Sequence, residues 1–459
     1  MAVSDQIRRP HNLGAEESFV DQQYGDRYDT PKTPLEFDIS KPENFFYDME
    51  HCIKCKGCYW VEHTYNPGAK FNVRCASNLW NDFDAYGAMG KMRLGCGLLE
   101  GRVEWSDTVL DILYACTLCG ACDVACKRNL DLEIELSLEA LRVKAVQDGA
   151  APLPAHKKVF DNIASKNNYY GATESRTKWV TSDIKVADKA DVLYFVGCNS
   201  SYVNPAIAQA TAKIFNAAGT PFMLMKDEKC CGNVPFSVGM YDEAKKIAEE
   251  NLAAVKATGA KTLVTSCAEC YRMWKVDYPK MLNVKTEDLG IEVLHLVEFA
   301  DKALADGKLK LTKPVDMRFT YHDACSVTRL CDPWEPYKGE RGWMGMIYPG
   351  LLRRRGRHGL WDPARNLLNA VPGATFTELI RLRENAFCCG GGRGAEAAYP
   401  EFSQFCANHR LDEVKEVGAE VLVSACPWCK SNFSKAVKEN NDDVEVMDIA
   451  ELIAAAIEI

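Results

Sequence analysis

Beyond residue 185, short apolar runs alternate with stretches whose apolar positions recur every three or four residues. DVLYFVG at 191–197, PFMLMKD at 221–227 and KTLVTS at 261–266 read as buried strands. Between the last two, Ala244, Ile247, Ala248, Leu252 and Val255 keep helical spacing, and Gly259 ends the helix. Strands alternating with helices predict parallel sheet. Residues 45–150 carry helical rather than strand signals. Ser106 offers a cap for a helix with Val109, Leu110 and Leu113 on one side, and another helix runs through Leu138, Leu141 and Ala145 to stop near Gly149. Residues 1–44 are polar, with no apolar period, and predict a flexible N-terminal arm. Residues 151–185 predict a linker.

The strand–helix region repeats itself. VKATGAKTLVTSCAEC at 255–270 aligns without gaps on VKEVGAEVLVSACPWC at 414–429, with 8 of 16 positions identical. Cys230-Cys231-Gly232 answers to Cys388-Cys389-Gly390, and EVLHL at 292–296 to EVMDI at 445–449. The expected fold class is therefore multidomain: a helical domain over 45–150, then two duplicated α/β domains with parallel sheets over 186–305 and 312–459. Cys325 and Cys388 lie 63 positions apart, against 32 for Cys198 and Cys230, so the second copy carries an insert near 331–361.

Composition narrows the chemistry. No run reaches the ~18 apolar residues that a membrane span needs. A formal charge of −9 argues against general binding of nucleic acid. The first residues lack the apolar core of an export signal, so the expected location is the cytoplasm, with any membrane link made by a partner. There are 21 cysteines, an odd number, and in a reducing compartment these read as metal or redox ligands rather than bridges.

Their spacing is specific. LYACTLCGACDVACKRN sets Cys116, Cys119, Cys122 and Cys126 in the C-x2-C-x2-C-x3-C run of bacterial ferredoxins, with Lys127 where a proline is usual. Three of these thiolates face one cubane [4Fe–4S] cluster, and the fourth belongs to a neighbouring one. Cys52, Cys55 and Cys58 supply the partner triplet. The eighth ligand is then Cys75 or Cys96, and the polar turn VRCASN favours Cys75. The expected pairing is Cys52, Cys55, Cys58 with Cys126, and Cys116, Cys119, Cys122 with Cys75. Lys54, Lys56, Arg74, Lys127 and Arg128 either offset cluster charge or form a solvated basic face.

Each duplicated copy carries five cysteines: Cys198, Cys230, Cys231, Cys267 and Cys270, then Cys325, Cys388, Cys389, Cys426 and Cys429. Adjacent cysteines serve one centre only if the backbone turns sharply, and the following glycine permits that turn. Five thiolates exceed the four of structural zinc. These two sets resemble the CCG domains of heterodisulfide reductase. Joined to a ferredoxin-like domain, they resemble its D component and related iron–sulfur oxidoreductases, including subunits of class II benzoyl-CoA reductase complexes.

The resemblance covers about 45–459. It implies two noncubane [4Fe–4S] clusters beside the two cubane ones, and a pair able to cleave a disulfide. No GxGxxG follows an expected strand, so no flavin is expected on this chain. It also implies redox partner subunits such as a flavoprotein, a ferredoxin or a membrane quinone-reactive protein. The four sets use 18 cysteines and leave Cys96, Cys331 and Cys406 as free buried or insert thiols. His322, Asp323 and His295 stand near expected strand ends, as proton relays or as structural residues. Arg353, Arg354, Arg355 and Arg357 in the insert either grip an anion or sit on a solvated loop. Three readings stay open: a catalytic disulfide reductase, an electron relay within a larger complex, and a zinc-stabilised assembly protein.

Overall fold

The computed structural model describes residues 38–61, 70–127, 132–332, 340–341, 347–348 and 356–458. Residues 38–166 form a helical module built from Phe46–Glu50, Ala76–Asn81, Ala88–Leu99, Asp107–Tyr114, Ala121–Lys127, Ile134–Gln147 and Pro154–Lys166. Its one described β feature is a single antiparallel bridge between Trp60 and Val73. The Ser106 hydroxyl accepts the Val109 N–H at 3.3 Å, capping the helix whose Val109 and Leu113 are buried. Leu138, Leu141 and Ala145 are buried on the longest helix here, and Gly149 turns left-handed (φ 75°) just past its end.

Two expectations are corrected. Within the segment read as a flexible arm, residues 1–37 lie outside the described residues, but 38–44 pack down. Ile39 is 0 % exposed, and the Gln147 side-chain amide donates to the Ser40 carbonyl at 2.8 Å. One isoleucine among polar neighbours has no period to reveal it. The 151–185 linker carries the helix Pro154–Lys166, which buries His156, Val159 and Ile163 and has proline in its first turn, where no N–H is needed.

The two α/β units each hold a four-stranded, all-parallel sheet. The first is β1 Val192–Tyr194, β2 Phe222–Met223, β3 Thr262–Thr265 and β4 Glu292–His295, in the order β2-β1-β3-β4. The second is β5 Arg318–His322, β6 Thr375–Phe376, β7 Val421–Ser424 and β8 Glu445–Asp448, in the order β6-β5-β7-β8. The same order in both copies gives the repeat a topological meaning. Helix Tyr241–Thr258 ends on Gly259 in the left-handed region, as its spacing predicts. The units pack helix to helix, Pro205–Ala217 on Ile449–Ala455 and Leu296–Ala305 on Trp361–Asn369. In the insert, Glu340–Arg341 pairs antiparallel with Ile347–Tyr348. Arg353, Arg354 and Arg355 lie outside the described residues, and Arg357 is exposed.

Buried polar contacts fix the helical module to the α/β units. Arg272 reaches Glu135 at 2.7 Å and Glu139 at 2.6 Å, and the Tyr114 hydroxyl donates to the Val238 carbonyl at 2.8 Å. Among the described residues, no helix is long and apolar enough to cross a membrane.

Candidate metal centres

In the helical module the backbone wraps around two voids. The residues flanking the middle cysteine of each triplet, Lys54 and Lys56 in one and Leu118 and Gly120 in the other, all take positive φ between 49° and 70°. A left-handed residue with a side chain costs about 1–2 kcal/mol, and such strain persists where the surroundings impose it. The wrap brings Cys52, Cys55, Cys58 and Cys126 around a small pocket shared with Met89, Leu132 and Ile134. Cys75, Cys116, Cys119 and Cys122 line a second small pocket with Leu138 and Phe402. Cys126 thus leaves its own run for the other triplet. Cys96 lines neither void and is buried on helix Ala88–Leu99. Burial pushes the Cys58 thiol up to about 12 and Cys75 to about 11, the latter opposed by Lys91. Four soft sulfurs closing on a small apolar void fit a cubane iron–sulfur core. Of the basic residues nearby, Lys54 is exposed and Lys56 pairs with Asp84 at 2.8 Å, while Arg74 is buried and donates to the Trp60 carbonyl. The side chain of Lys127 and all of Arg128 lie outside the described residues.

The five-cysteine sets sit at the carboxyl edges of the two sheets, where sites in open parallel sheets gather. Cys198 and Cys267 follow β1 and β3, and Cys325 and Cys426 follow β5 and β7. Gly232 (φ 77°) and Gly390 (φ 82°) make the turn behind each cysteine pair. The sulfurs are in mutual contact. Cys198 meets Cys230, Cys231 meets Cys270, and Cys270 meets Cys267; in the second copy, Cys389 meets Cys429 at 3.1 Å and Cys429 meets Cys426. Neighbouring thiols hold the second member of each pair, Cys231 and Cys389, below the ordinary thiol range. Cys426 caps helix Pro427–Asn440. Burial pushes its thiol up, but Cys267, Cys429 and two helix N–H groups pull it well below the usual value. Cys325 is half-buried, and the second set borders a small pocket lined also by Thr117, Glu269 and Arg393.

Contacts also join the sets. The Cys119 and Cys388 thiols are neighbours, with the Thr117 hydroxyl 3.0 Å from the Cys388 sulfur. Cys267 neighbours Cys426 across the two α/β units. Cys58 and Cys75 are close enough to influence each other electrostatically. A row of neighbouring sulfurs therefore runs from Cys119 through Cys388, Cys389, Cys429 and Cys426 to Cys267.

Cys406 packs at the position equivalent to Ile247 in the repeat, under Gly390 as Ile247 packs under Gly232. Cys331 donates to the Thr328 carbonyl at 3.1 Å. Of the two roles open to His295, Asp323 and His322, their partners fit the structural one. His295 caps helix Leu296–Ala305 by accepting from Val297 N–H, and Asp323 holds Arg365 in a two-point ion pair at 2.9 and 3.0 Å. His322 is buried beside Cys389 and Cys429; burial and then Arg410 push it down to about 3.

Sequence reasoning missed several neighbours of the sets. Tyr170 bonds Asn199 next to Cys198 and stacks on Trp428, while Tyr169 donates to Glu396 at 2.6 Å. Burial raises the Glu396 carboxyl to about 7. Arg176 lies 3.6 Å from the Cys198 sulfur and pairs with Glu228 at 2.9 Å. Two consecutive tyrosines are the one signal that singles out this stretch.

Comparison with known proteins bears on these centres. A 4Fe-4S dicluster domain matches residues 48–130, and a cysteine-rich CCG domain matches residues 192–275 and again 354–434. The D component of dihydromethanophenazine:CoB--CoM heterodisulfide reductase from Methanosarcina acetivorans is 31% identical over 422 residues, 89% of this chain and 94% of that protein. The chain belongs to the family of heterodisulfide reductase D components. More distant relatives include the B component of fumarate reductase (CoM/CoB) from Methanothermobacter marburgensis, 27% identical over 75% of this chain and 61% of that protein. EtfAB:quinone oxidoreductase of Syntrophomonas wolfei is 24% identical over 92% and 60%. As a member of this heterodisulfide reductase family, the chain is an iron–sulfur oxidoreductase component with a ferredoxin-like 4Fe-4S domain followed by two CCG domains.

Proposed function

We propose that Cys52, Cys55, Cys58 and Cys126 hold one cubane [4Fe–4S] cluster and Cys75, Cys116, Cys119 and Cys122 a second. Each five-cysteine set holds a noncubane [4Fe–4S] cluster, and the modules are bounded near 45–150, 186–305 and 312–459. When bound, the cubane groups supply one-electron steps and the noncubane pair the two electrons that open a disulfide: RSSR′ + 2e− + 2H+ → RSH + R′SH. The observation that carries this reading is the unbroken line of sulfur contacts, Cys119 to Cys388 and Cys426 to Cys267, which joins a one-electron module to a paired site. The chain's own residues exclude water and hold protons there. Tyr170 and Trp428 cover the junction of the two five-cysteine sets, and Glu396, carrying its proton near neutral pH and bonded by Tyr169, stores one of the two protons consumed.

Partners are redox proteins, a flavoprotein, a ferredoxin or a membrane quinone-reactive protein, met in the cytoplasm. A second reading, a relay without its own small-molecule substrate, is favoured by the burial of nine of the ten cysteines in the five-cysteine sets. Anaerobically prepared chain should hold about 16 iron atoms and matching acid-labile sulfide, four clusters of four. Two to four zinc atoms with little iron would instead mark a structural cysteine protein. Turnover of a disulfide with an artificial donor supports the reductase, and a fully loaded chain without turnover supports the relay.

A further inference from the structure

The two four-cysteine sets differ in what surrounds them. The outer set includes the exposed Cys55. Its nearby cations are Lys54 and Lys56, exposed to water, which screens their charge, with Lys56 already paired with Asp84, and the half-buried Arg93 near Cys52. The inner set, Cys75, Cys116, Cys119 and Cys122, is flanked by three cations, each only 1 % exposed: Lys91, Arg142 and Arg329. Lys91 donates to the Ser77 hydroxyl at 2.9 Å and to the Tyr86 carbonyl. Arg142 donates to the carbonyls of Ser237, Leu113 and Cys116, and Arg329 to those of Cys119, Ala386 and Glu384. Among the described residues none of the three meets a carboxylate.

A buried cation with only neutral partners is costly. Nearby buried ion pairs show the usual remedy, as Arg176 beside the first five-cysteine set is matched by Glu228. The anionic partner that Lys91, Arg142 and Arg329 lack is supplied by thiolates: Cys75 faces Lys91, Cys116 faces Arg142, and Cys119, Cys325 and Cys388 face Arg329.

The structure assigns Lys91, Arg142 and Arg329 as charge-setting residues that make the inner four-cysteine centre the more oxidising of the two. Positive charge fixed in a low-dielectric interior stabilises the state with one more electron, and local charge is among the determinants of iron–sulfur potentials. When one electron is shared by the two centres, the outer loses it and the inner gains it, with no proton moved. The electron then resides beside Cys119, in contact with Cys388 of the second five-cysteine set. Arg329 belongs to both centres, so it acts on the junction between them as a positioning residue.

This inference rests on the reading that both sets hold clusters, and iron and sulfide counts on the same samples test that reading separately. The experiment is a dithionite titration of the full-length chain followed by low-temperature EPR, with the outer signal identified as the one lost in Cys55→Ala. In native chain the inner signal should appear at the higher potential. Arg329→Gln and Lys91→Gln should each move the inner equilibrium about tenfold towards the oxidised form, about 59 mV for one electron, and leave the outer signal in place. Arg329→Lys should restore most of the native value. Lys91→Gln reads the same quantity if Arg329→Gln loses its outer signal through misfolding. The inference is overturned if the native inner signal is no higher than the outer, or if iron-loaded neutral variants titrate like native chain. It is overturned equally if Arg329→Lys shifts as far as Arg329→Gln.

Discussion

A thiol enclosed by apolar side chains stays protonated, so a buried cysteine becomes a ligand only where several sulfurs and a compensating charge converge. Cys75 meets that condition and Cys96 does not. Both are pushed up by burial, to about 11 and about 12, but Cys75 shares its void with three other cysteines. Cys75→Ala should lower bound iron by about one cluster of four, whereas Cys96→Ala should leave the count unchanged; equal losses would contradict the assignment. Glu396 makes a pH prediction. Its carboxyl is raised from 4.5 to about 7 in the folded chain, so its contribution to stability is fully present below about pH 4.5 and is lost as pH rises through 7. The loss is about 3 kcal/mol. Thermal midpoints of native chain should fall across this window more steeply than those of Glu396→Gln, and parallel slopes would refute the shift.

Among the elements, the turn behind each cysteine pair bears the tightest constraint. A Cβ on Gly390 would stand 2.5 Å from the Ser403 carbonyl and 2.7 Å from Cys406, at φ 82°. On Gly232 the nearest atom is the end of Ile247, at 3.1 Å. Backbone cannot give way as a side chain can. Gly390→Ala should therefore cost about 2–3 kcal/mol and Gly232→Ala about 1, with iron lost from the former first, as thermal melts and metal analysis of the two variants would show. The helices were legible where their period was long: Tyr241–Thr258 and Ile134–Gln147 declare themselves by apolar spacing. Helix Pro154–Lys166 was not, because only His156, Val159 and Ile163 are buried and the rest of its surface is polar.

At the scale of the whole molecule, the helical module and the α/β units are held in register by buried charge as well as by apolar packing. Arg272 serves Glu135, Glu139 and Asp277 at once, all fully buried. Removing the cation leaves three buried carboxylates with only Lys280, on Glu139 and Asp277, and the longer contact of Arg393 to Glu135, so Arg272→Met should cost about 3 kcal/mol and lower the urea midpoint of the whole chain. A native midpoint would mean that these acids are protonated and the network is not ionic.

Local sequence was enough for what depends on neighbours in the chain. The C-x2-C-x2-C-x3-C run, the glycine after each cysteine pair and the duplicated strand–helix order all act over a few residues, where spacing and φ limits restrict the outcome. Long-range placement was decided by tertiary structure alone. Thr117 and Cys388 are 271 positions apart, and Arg142 and Arg329 become partners of the inner sulfurs only when helix Ile134–Gln147 and the turn after Cys325–Val327 pack against them. Such contacts carry no period, because they arise from packing two separately patterned surfaces together rather than from the pattern of either one.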